Sequence, residues 1–352
     1  MKSLLRASKI LRNHYGEVIL RFAEPIKISS ILDKENLKKP EDIRKQTTKL
    51  AYLITDRIRL SSDISFTALA FTALMSSSHY GLKLSELENS VIELSKLAAV
   101  MKALNPAIGD LTPSLEKFLN GNKELILDLP RTGIAKLGEY AGTPVISIPG
   151  DRRFTADFYR NATSHLFLPA AILAASELIN GEILLKDISM FRTCFALEYL
   201  LPENDEFLST IEQLINYLLK VEILAKVENK LYFKTRAPGM FNPRLILGSI
   251  QSMLYVFDSL RERQSKQSEW PLKELIKNLH DEFKAASYIA KFNRTEASAK
   301  SSIESALDSL RQIGIISIKE DDKNGKLVGI SNDQAEELVF LINANKAILD
   351  YR

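Results

Sequence analysis

The sequence predicts a mainly α protein with small β-hairpins, and three observations carry that prediction. First, apolar residues recur at helical spacing along most of the chain; in Phe207–Leu219 they fall at 207, 208, 211, 214, 215 and 218. Second, a helix followed by a hairpin occurs twice, giving winged-helix-like units. Phe207–Leu219 precedes Ile223–Val227, a Glu228-Asn229-Lys230 turn and Leu231–Phe233. About ninety residues later Ile303–Ile313 precedes Ile315–Ile318 and Leu327–Ile330, joined around Asn324-Gly325, a strong turn dipeptide. Third, the front of the chain offers one helix (residues 3–13) and one alternating strand, Glu17–Phe22, ended by Pro25. A lone strand leaves its backbone groups unpaired, so residues 1–26 read as a leftover αβ unit of a sheet whose other strands lie elsewhere.

The remaining elements follow in order. Residues 28–46 read as a short helix and linker, with Pro40 opening a helix over Glu41–Asp56 that buries Ile43, Leu50, Leu53 and Ile54. Ser61-Ser62-Asp63 is expected to cap a helix running to Met75. Leu84 begins a helix to about Leu104, and Ser114–Leu119 a short one. Leu125–Leu129 and Val145–Ile148 read as strands, with a helical piece carrying Gly133 and Gly138 between them. Asp157–Leu178 reads as a helix bent near Pro169. Residues 185–200 form an apolar helix with Phe191, Phe195 and Tyr199 stacked; Arg244–Gln264 and Trp270–Tyr288 are helical. The expected division is 1–27, the leftover αβ tail; 28–60, a linker and first helix; and 61–352, a helical domain with sub-units 61–200 and 201–352.

The 352 residues are 45% hydrophobic and 26% charged, ordinary for a chain with a substantial core. The net charge of +3 is unevenly placed: residues 1–60 carry +7 and the rest −4. A basic front suits an acidic partner such as phosphate or an anionic membrane surface. The single Cys194 excludes an intramolecular disulfide and a multi-cysteine metal site, and fits a reducing compartment. The most apolar runs, Phe66–Met75 and Leu166–Ala175, are each half the roughly 20 residues that span a bilayer, so no transmembrane helix is expected. The opening residues are not expected to act as a signal peptide.

Catalytic patterns are missing from the sequence. It holds no HExxH, GxxxxGK[ST] or GxGxxG, and no metal or cofactor is expected. A His-x4-Asp arrangement would hold an imidazole as general base for a hydroxyl, but the positions five after His14, His79, His165 and His280 are Ile19, Leu84, Ala170 and Ala285. The candidate site is therefore the polar cluster Tyr159, Arg160, Asn161 and His165. On one helix Asn161 and His165 stand at i and i+4 and would share a hydrogen-bond network. Arg160 either pairs with a carboxylate and locks the helix, or contacts an anion or phosphate. Nucleic acid is disfavoured as a partner. The first winged-helix-like unit carries Glu206 and Glu212 without Lys or Arg on its helix, and the second sets Glu304, Asp308, Glu320, Asp321 and Asp322 against Arg311, Lys319, Lys323 and Lys326.

At this cluster, FYRNATSHLFLPAAILAA, the sequence resembles the glycerol-3-phosphate 1-O-acyltransferases and the related dihydroxyacetone-phosphate acyltransferases. The front KILRNHYGEVILRFAEPIKI resembles the segment that closes their acyltransferase domain, roughly YGxVxVxFGEPI. Tyr15, Gly16, Val18, Phe22, Glu24, Pro25 and Ile26 match, and Ala23 replaces glycine. Leu53–Met75, LLKVEILAKVENKLYF and LDSLRQIGIIS resemble later helical and hairpin pieces. The resemblance is to the C-terminal part of the family enzyme. The family's four catalytic and substrate motifs lie upstream of the front segment and have no counterpart here, so it assigns no catalytic residue to this chain. It implies transfer of an acyl chain, from acyl-carrier protein (acyl-ACP) or acyl-CoA, to the sn-1 hydroxyl of glycerol 3-phosphate, with acyl donor and glycerol 3-phosphate as partners only if a catalytic domain is supplied. It also implies a location in the cytoplasm or on the cytoplasmic face of the inner membrane. The expectation is a shortened or split enzyme, inactive alone. The alternative is a non-catalytic binding module whose winged-helix-like units contact a protein or nucleic acid.

Overall fold

A computed structural model describes residues 19–30, 40–265, 267–288, 294–321 and 325–351. Among them thirteen α-helices and eight short strands alternate, and the buried apolar side chains form one continuous cluster from Ile64 to Ile348. Two helices make its centre. α1 (Pro40–Ser61) leads into α2 (Phe66–Ser76), which Ser65 caps by accepting the Ala68 N–H at 3.1 Å. α2 is apolar on every side and nearly every residue is buried, as expected of a helix enclosed by others. Around it pack α3 (Leu84–Leu104), α4 (Pro113–Leu119) and α6 (Arg153–Asn161), with the short α5 at Leu125–Asp128. The second central helix is α7 (Ser164–Asn180), equally apolar and ended by Gly181 at φ +73°, whose N–H returns to Glu177 O at 2.7 Å.

The outer elements enclose this pair. α8 (Leu185–Phe195) carries the stacked Phe191 and Phe195, with ring centroids 5.8 Å apart, and Tyr199 follows edge-on at 5.9 Å. α9 (Asn204–Lys220) buries Phe207, Ile211, Leu214, Ile215 and Leu218, the stripe its spacing predicts. α10 (Leu247–Gln264), α11 (Leu272–Tyr288), α12 (Lys300–Gln312) and α13 (Glu336–Asp350) complete the helices. The strands are β1 (Gly81–Lys83), β2 (Lys136–Tyr140), β3 (Thr143–Ser147), β4 (Leu224–Val227), β5 (Lys230–Phe233), β6 (Glu269–Pro271), β7 (Ile316–Asp321) and β8 (Gly325–Ile330). All pairings are antiparallel, in the orders β1-β3-β2, β4-β5 and β6-β8-β7. Glu228 and Asn229 both adopt positive φ, which gives the β4-β5 turn the twist a two-residue hairpin needs.

The mainly α fold with small hairpins is what the sequence predicts, and both helix-plus-hairpin units form. Several local expectations are corrected. Leu125–Asp128 is a helical turn, not a strand, because Pro130 follows and the short apolar run packs Ile126 and Leu129 inward. Gly138 lies in strand β2, not in a helical piece, paired with Val145. Trp270 lies in strand β6 opposite Val328, and the helix starts only after Pro271. The 185–200 helix stops at Phe195, and Leu200 has φ 49° in the turn beyond. The cap of α2 is Ser65 and not the Ser61-Ser62-Asp63 run. The bend in 157–178 falls at Ala162-Thr163, where α6 and α7 meet at 95°, and Pro169 sits inside α7.

The front of the chain departs most. The 3–13 helix lies outside the described residues. Over Ile19–Lys27 no strand forms, and Leu20 and Phe22 are 80% and 85% exposed. α1 is longer than expected, and none of its residues is buried: Ile43 and Ile54 face solvent, and Leu50 and Leu53 are only half-buried. Its inner face is separated from the apolar side chains opposite, among them Leu104, Ile108 and Leu166, by a cavity, and Leu60 at its end is packed against the core. α1 joins the body at its C-terminal end, where Gly109 N–H bonds Leu60 O at 2.8 Å and Ile64 N–H bonds Asp110 O at 2.8 Å. Arg21 reaches the same corner, 2.7 Å from Asp63 and 2.6 Å from Asp110.

That corner requires a glycine. A Cβ on Gly109 would lie 2.2 Å from Ser62 O, which belongs to the facing backbone, whereas a Cβ on Gly248 in α10 meets nothing within 4 Å. Gly109→Ala is expected to lower the thermal midpoint. Gly248→Ala is expected to hold or raise it, by up to about 1 kcal/mol of helix propensity. Circular-dichroism melts of the two variants check the pair.

Candidate functional site

The 95° turn between α6 and α7 sets the geometry of the polar cluster. Thr163 N–H bonds Arg160 O at 3.0 Å, and its buried hydroxyl lies 3.3 Å from that of Thr72 on α2. The last turn of α6 is thereby pressed against the core, and Arg160 is buried. Asp157, one turn earlier, faces it with Oδ1 2.6 Å from Arg160 Nη2. Asn161 completes a small triangle. Its Nδ2 donates to Asp157 Oδ2 at 3.1 Å, and its Oδ1 accepts from Arg160 Nη2 at 3.4 Å.

Arg160 belongs to a larger seam of charge inside the protein. Burial works against its positive form, but Asp157 and the fields of Tyr199, Glu296 and Glu198 outweigh it, so its pKa rises above that of an ordinary arginine. Beyond α8, Glu198 Oε1 accepts the Ser249 hydroxyl at 2.7 Å, and Ser249 lies 3.0 Å from Tyr199 OH. Burial pushes the Glu198 carboxyl up to about 7 against the pull of Ser249 and Arg160. On the other side Tyr80 OH donates to Glu296 Oε2 at 2.9 Å, and the Tyr80 ring is flanked by the guanidiniums of Arg153 at 3.8 Å and Arg294 at 4.9 Å. Arg294 is fully enclosed; it donates to Met75 O, and to Ser77 O at 3.2 Å, fixing the end of α2. Burial, then the Glu296 carboxylate, push the Tyr80 phenol up to about 12.

The four residues singled out in the sequence therefore separate. Arg160 and Asn161 share the seam with Asp157. Tyr159 is partly exposed and packs its ring 5.5 Å from Phe71 and 5.8 Å from Phe158. His165 leaves the cluster: the expected Asn161–His165 network does not form, because the helix breaks between them and each starts a different direction. Both His165 ring nitrogens are buried without a hydrogen-bond partner, and burial followed by the Arg59 charge pushes its pKa down to about 3. Asp157 was legible as an i, i+3 partner of Arg160. Glu198, Ser249, Tyr80, Arg294 and Glu296 were not, since only the tertiary fold brings such distant segments to one place; Ser249 and Glu198 are 51 residues apart, and Tyr80 and Glu296 are 216 apart.

Chemically the seam holds charge more than it moves it. Ser249 meets a carboxylate and not a histidine, so no serine–histidine pair stands here. The Arg160–Asp157 pair lies within α6 and holds the buried guanidinium in place at the end of that helix.

Two outcomes test this reading. Arg160→Met leaves Asp157 without its cation and is expected to cost on the order of 3–5 kcal/mol in urea unfolding, with part recovered when Asp157→Asn is added. Glu198 has a folded pKa of about 7 against 4.5 unfolded, so its contribution is complete below pH 4.5 and lost as pH rises through 7. His165 has the opposite sign, costing stability as pH falls from 6.5 towards 3. Glu198→Gln is therefore expected to gain stability relative to the unaltered chain between pH 4.5 and pH 8, in parallel melts.

Comparison with known proteins points one way. The family model for the glycerol-3-phosphate acyltransferase C-terminal region matches residues 1–319. A glycerol-3-phosphate acyltransferase of Xanthomonas campestris pv. campestris is 26% identical over 234 residues, covering 62% of this chain and 26% of the relative. One from Xylella fastidiosa strain M23 is 24% identical over 238 residues, covering 63% and 26%. One from Xanthomonas axonopodis pv. citri is 26% identical over 234 residues, again covering 62% and 26%. The matched region thus spans about a quarter of these relatives. With the family model matching over nine-tenths of its length, this chain belongs to the glycerol-3-phosphate acyltransferase C-terminal region family.

Proposed function

We propose that this chain serves as the helical C-terminal portion of a glycerol-3-phosphate acyltransferase of phospholipid synthesis, acting with an acyltransferase domain and inactive without one. The family match over residues 1–319 carries the reading. In that assembly an acyl chain passes from acyl-ACP or acyl-CoA to the sn-1 hydroxyl of glycerol 3-phosphate. The chemistry requires a general base for that hydroxyl, and this sequence has no His-x4-Asp motif to provide one.

The division proposed from the sequence fits this role: 1–27 as the end of the αβ domain, 28–60 as the connection, and 61–352 as the helical body. Two features support it. Residues 19–28 and α1 expose a concentration of large apolar side chains, among them Leu20, Phe22, Ile43 and Ile58, as a segment does when its partner surface is elsewhere. Residues 1–60 as a whole carry a net +7, which suits an anionic membrane surface and peripheral attachment at the cytoplasmic face. No single helix among the described residues is long and apolar enough to cross a membrane. The bent pair α6–α7 passes by length and composition, and α7 is almost wholly buried against protein. Tyr159, Arg160 and Asn161 act in this reading by fixing the helical body and not by touching substrate; the Arg160 guanidinium is already committed to Asp157.

The purified chain, incubated with glycerol 3-phosphate and palmitoyl-CoA, is expected to form no lysophosphatidate. Co-expression with a separate chain carrying a family acyltransferase domain is expected to restore turnover and to co-purify. Turnover by the chain alone would overturn the proposal.

A further inference from the structure

A cavity away from α1 lies between the end of α2, the first half of α3 and the 238–245 segment. Its volume, about 560 Å³, is within the roughly 300–1,000 Å³ of small-molecule pockets. Leu94, Phe167, Met240 and Leu245, all buried, supply its apolar lining. Close backbone packing builds one wall. Gly239 passes so near α3 that a Cβ on it would lie 2.7 Å from Ser90 Cα, and its N–H donates to Glu93 Oε2 at 2.7 Å. The backbone thereby holds the Glu93 carboxylate at the cavity wall.

Two charged groups on the lining, both partly buried, lack a counter-ion. Among the described residues Glu93 has no cationic partner, and its Oε1 is neither hydrogen-bonded nor enclosed by protein. Arg244 has no carboxylate partner among them either. Its Nη2 donates to Tyr351 O and its guanidinium lies 5.1 Å from the centre of the Tyr351 ring, while Nε and Nη1 have no hydrogen bond and are likewise not enclosed. Partial burial, then the Arg294 charge, lower the Arg244 pKa from that of an ordinary arginine, so an anion beside it relieves an unfavourable field. The other charges are committed or in water: Glu86 pairs with Lys83, and His79 is exposed. A partly desolvated charge without a counter-ion carries a cost, and this cavity holds one such charge of each sign, which do not pair with each other.

We propose that this cavity binds a small zwitterion with an apolar body, its carboxylate meeting Arg244 and its ammonium meeting Glu93. A free amino acid and a short peptide share this chemistry. The guanidinium donates a charge-assisted hydrogen bond to the carboxylate, Glu93 Oε1 accepts one from the ammonium, and the apolar side chain lies against Leu94, Phe167, Met240 and Leu245. The inference stands on the cavity and its two charges, and holds whether or not the chain supports acyl transfer.

The test titrates the purified chain calorimetrically with leucine and with leucyl-leucine, and with each of them blocked at one end as the N-acetyl or the C-terminal amide form. Saturable binding of at least one parent compound is expected, about tenfold or more tighter than either of its blocked forms. The two parents distinguish a one-residue from a two-residue ligand. Glu93→Gln keeps an acceptor for the Gly239 N–H and removes only the charge. It is expected to hold the thermal midpoint, to weaken the parent about tenfold and to bring it level with its N-acetyl form. Arg244→Gln is expected to bring the parent level with its amide form. Absence of saturable binding by both parents, blocked forms binding as tightly as the parent, or unchanged selectivity in folded Glu93→Gln would overturn the proposal.

Discussion

Charge buried at the bend between α6 and α7 constrains everything around it. Arg160 cannot be desolvated without a carboxylate at contact, and Asp157 supplies one at 2.6 Å. Glu198, Tyr199 and Ser249 stand on one side of that pair, and Tyr80, Arg294 and Glu296 on the other. The groups come from five separate stretches of chain, so the seam is complete only when Tyr80 beyond α2, α6, the turn beyond α8, α10 and the 294–298 segment are in register. Apolar packing alone would tolerate small shifts of helices as smooth as α2 and α7. A hydrogen-bonded ionic seam does not, because a displaced partner leaves a charge unpaired in a low-dielectric interior.

The front of the molecule obeys a different rule. α1 has the amphipathic spacing of a packed helix but buries none of its residues. It is joined to the body by backbone bonds at one corner and by the Arg59 contact to Tyr199 O. The result is a helix standing off the core with a cavity beneath it. Its exposed apolar side chains and the basic charge before residue 60 mark this end as the part of the chain turned towards something else. In the proposed enzyme that neighbour is the acyltransferase domain or the membrane surface.

Much of the fold was legible from periodicity. The stripe of α9, the aromatic ladder at Phe191, Phe195 and Tyr199, and the strand pairing of both hairpins follow from local spacing, although Asn324 of the second expected turn lies outside the described residues. Short apolar runs were not. Leu125–Asp128 and Lys136–Tyr140 exchanged their expected roles, since four or five residues do not distinguish a helical turn from a strand. Pro169 misled for a related reason. Proline suggests a break, but here the chain turns at Ala162-Thr163, where Thr163 bonds back to Arg160 and meets Thr72.

By itself the sequence determined the class of fold, the lack of a His-x4-Asp base and the family resemblance borne by the segment around Arg160, because these depend on residue identity and short spacing. Tertiary structure alone decided what that segment does locally. It separated His165 from Asn161, burying its ring nitrogens, and gave Arg160 the distant company of Glu198 and Glu296. It also left α1 uncovered, since burial depends on what lies opposite a helix face, and a face's own pattern does not record that.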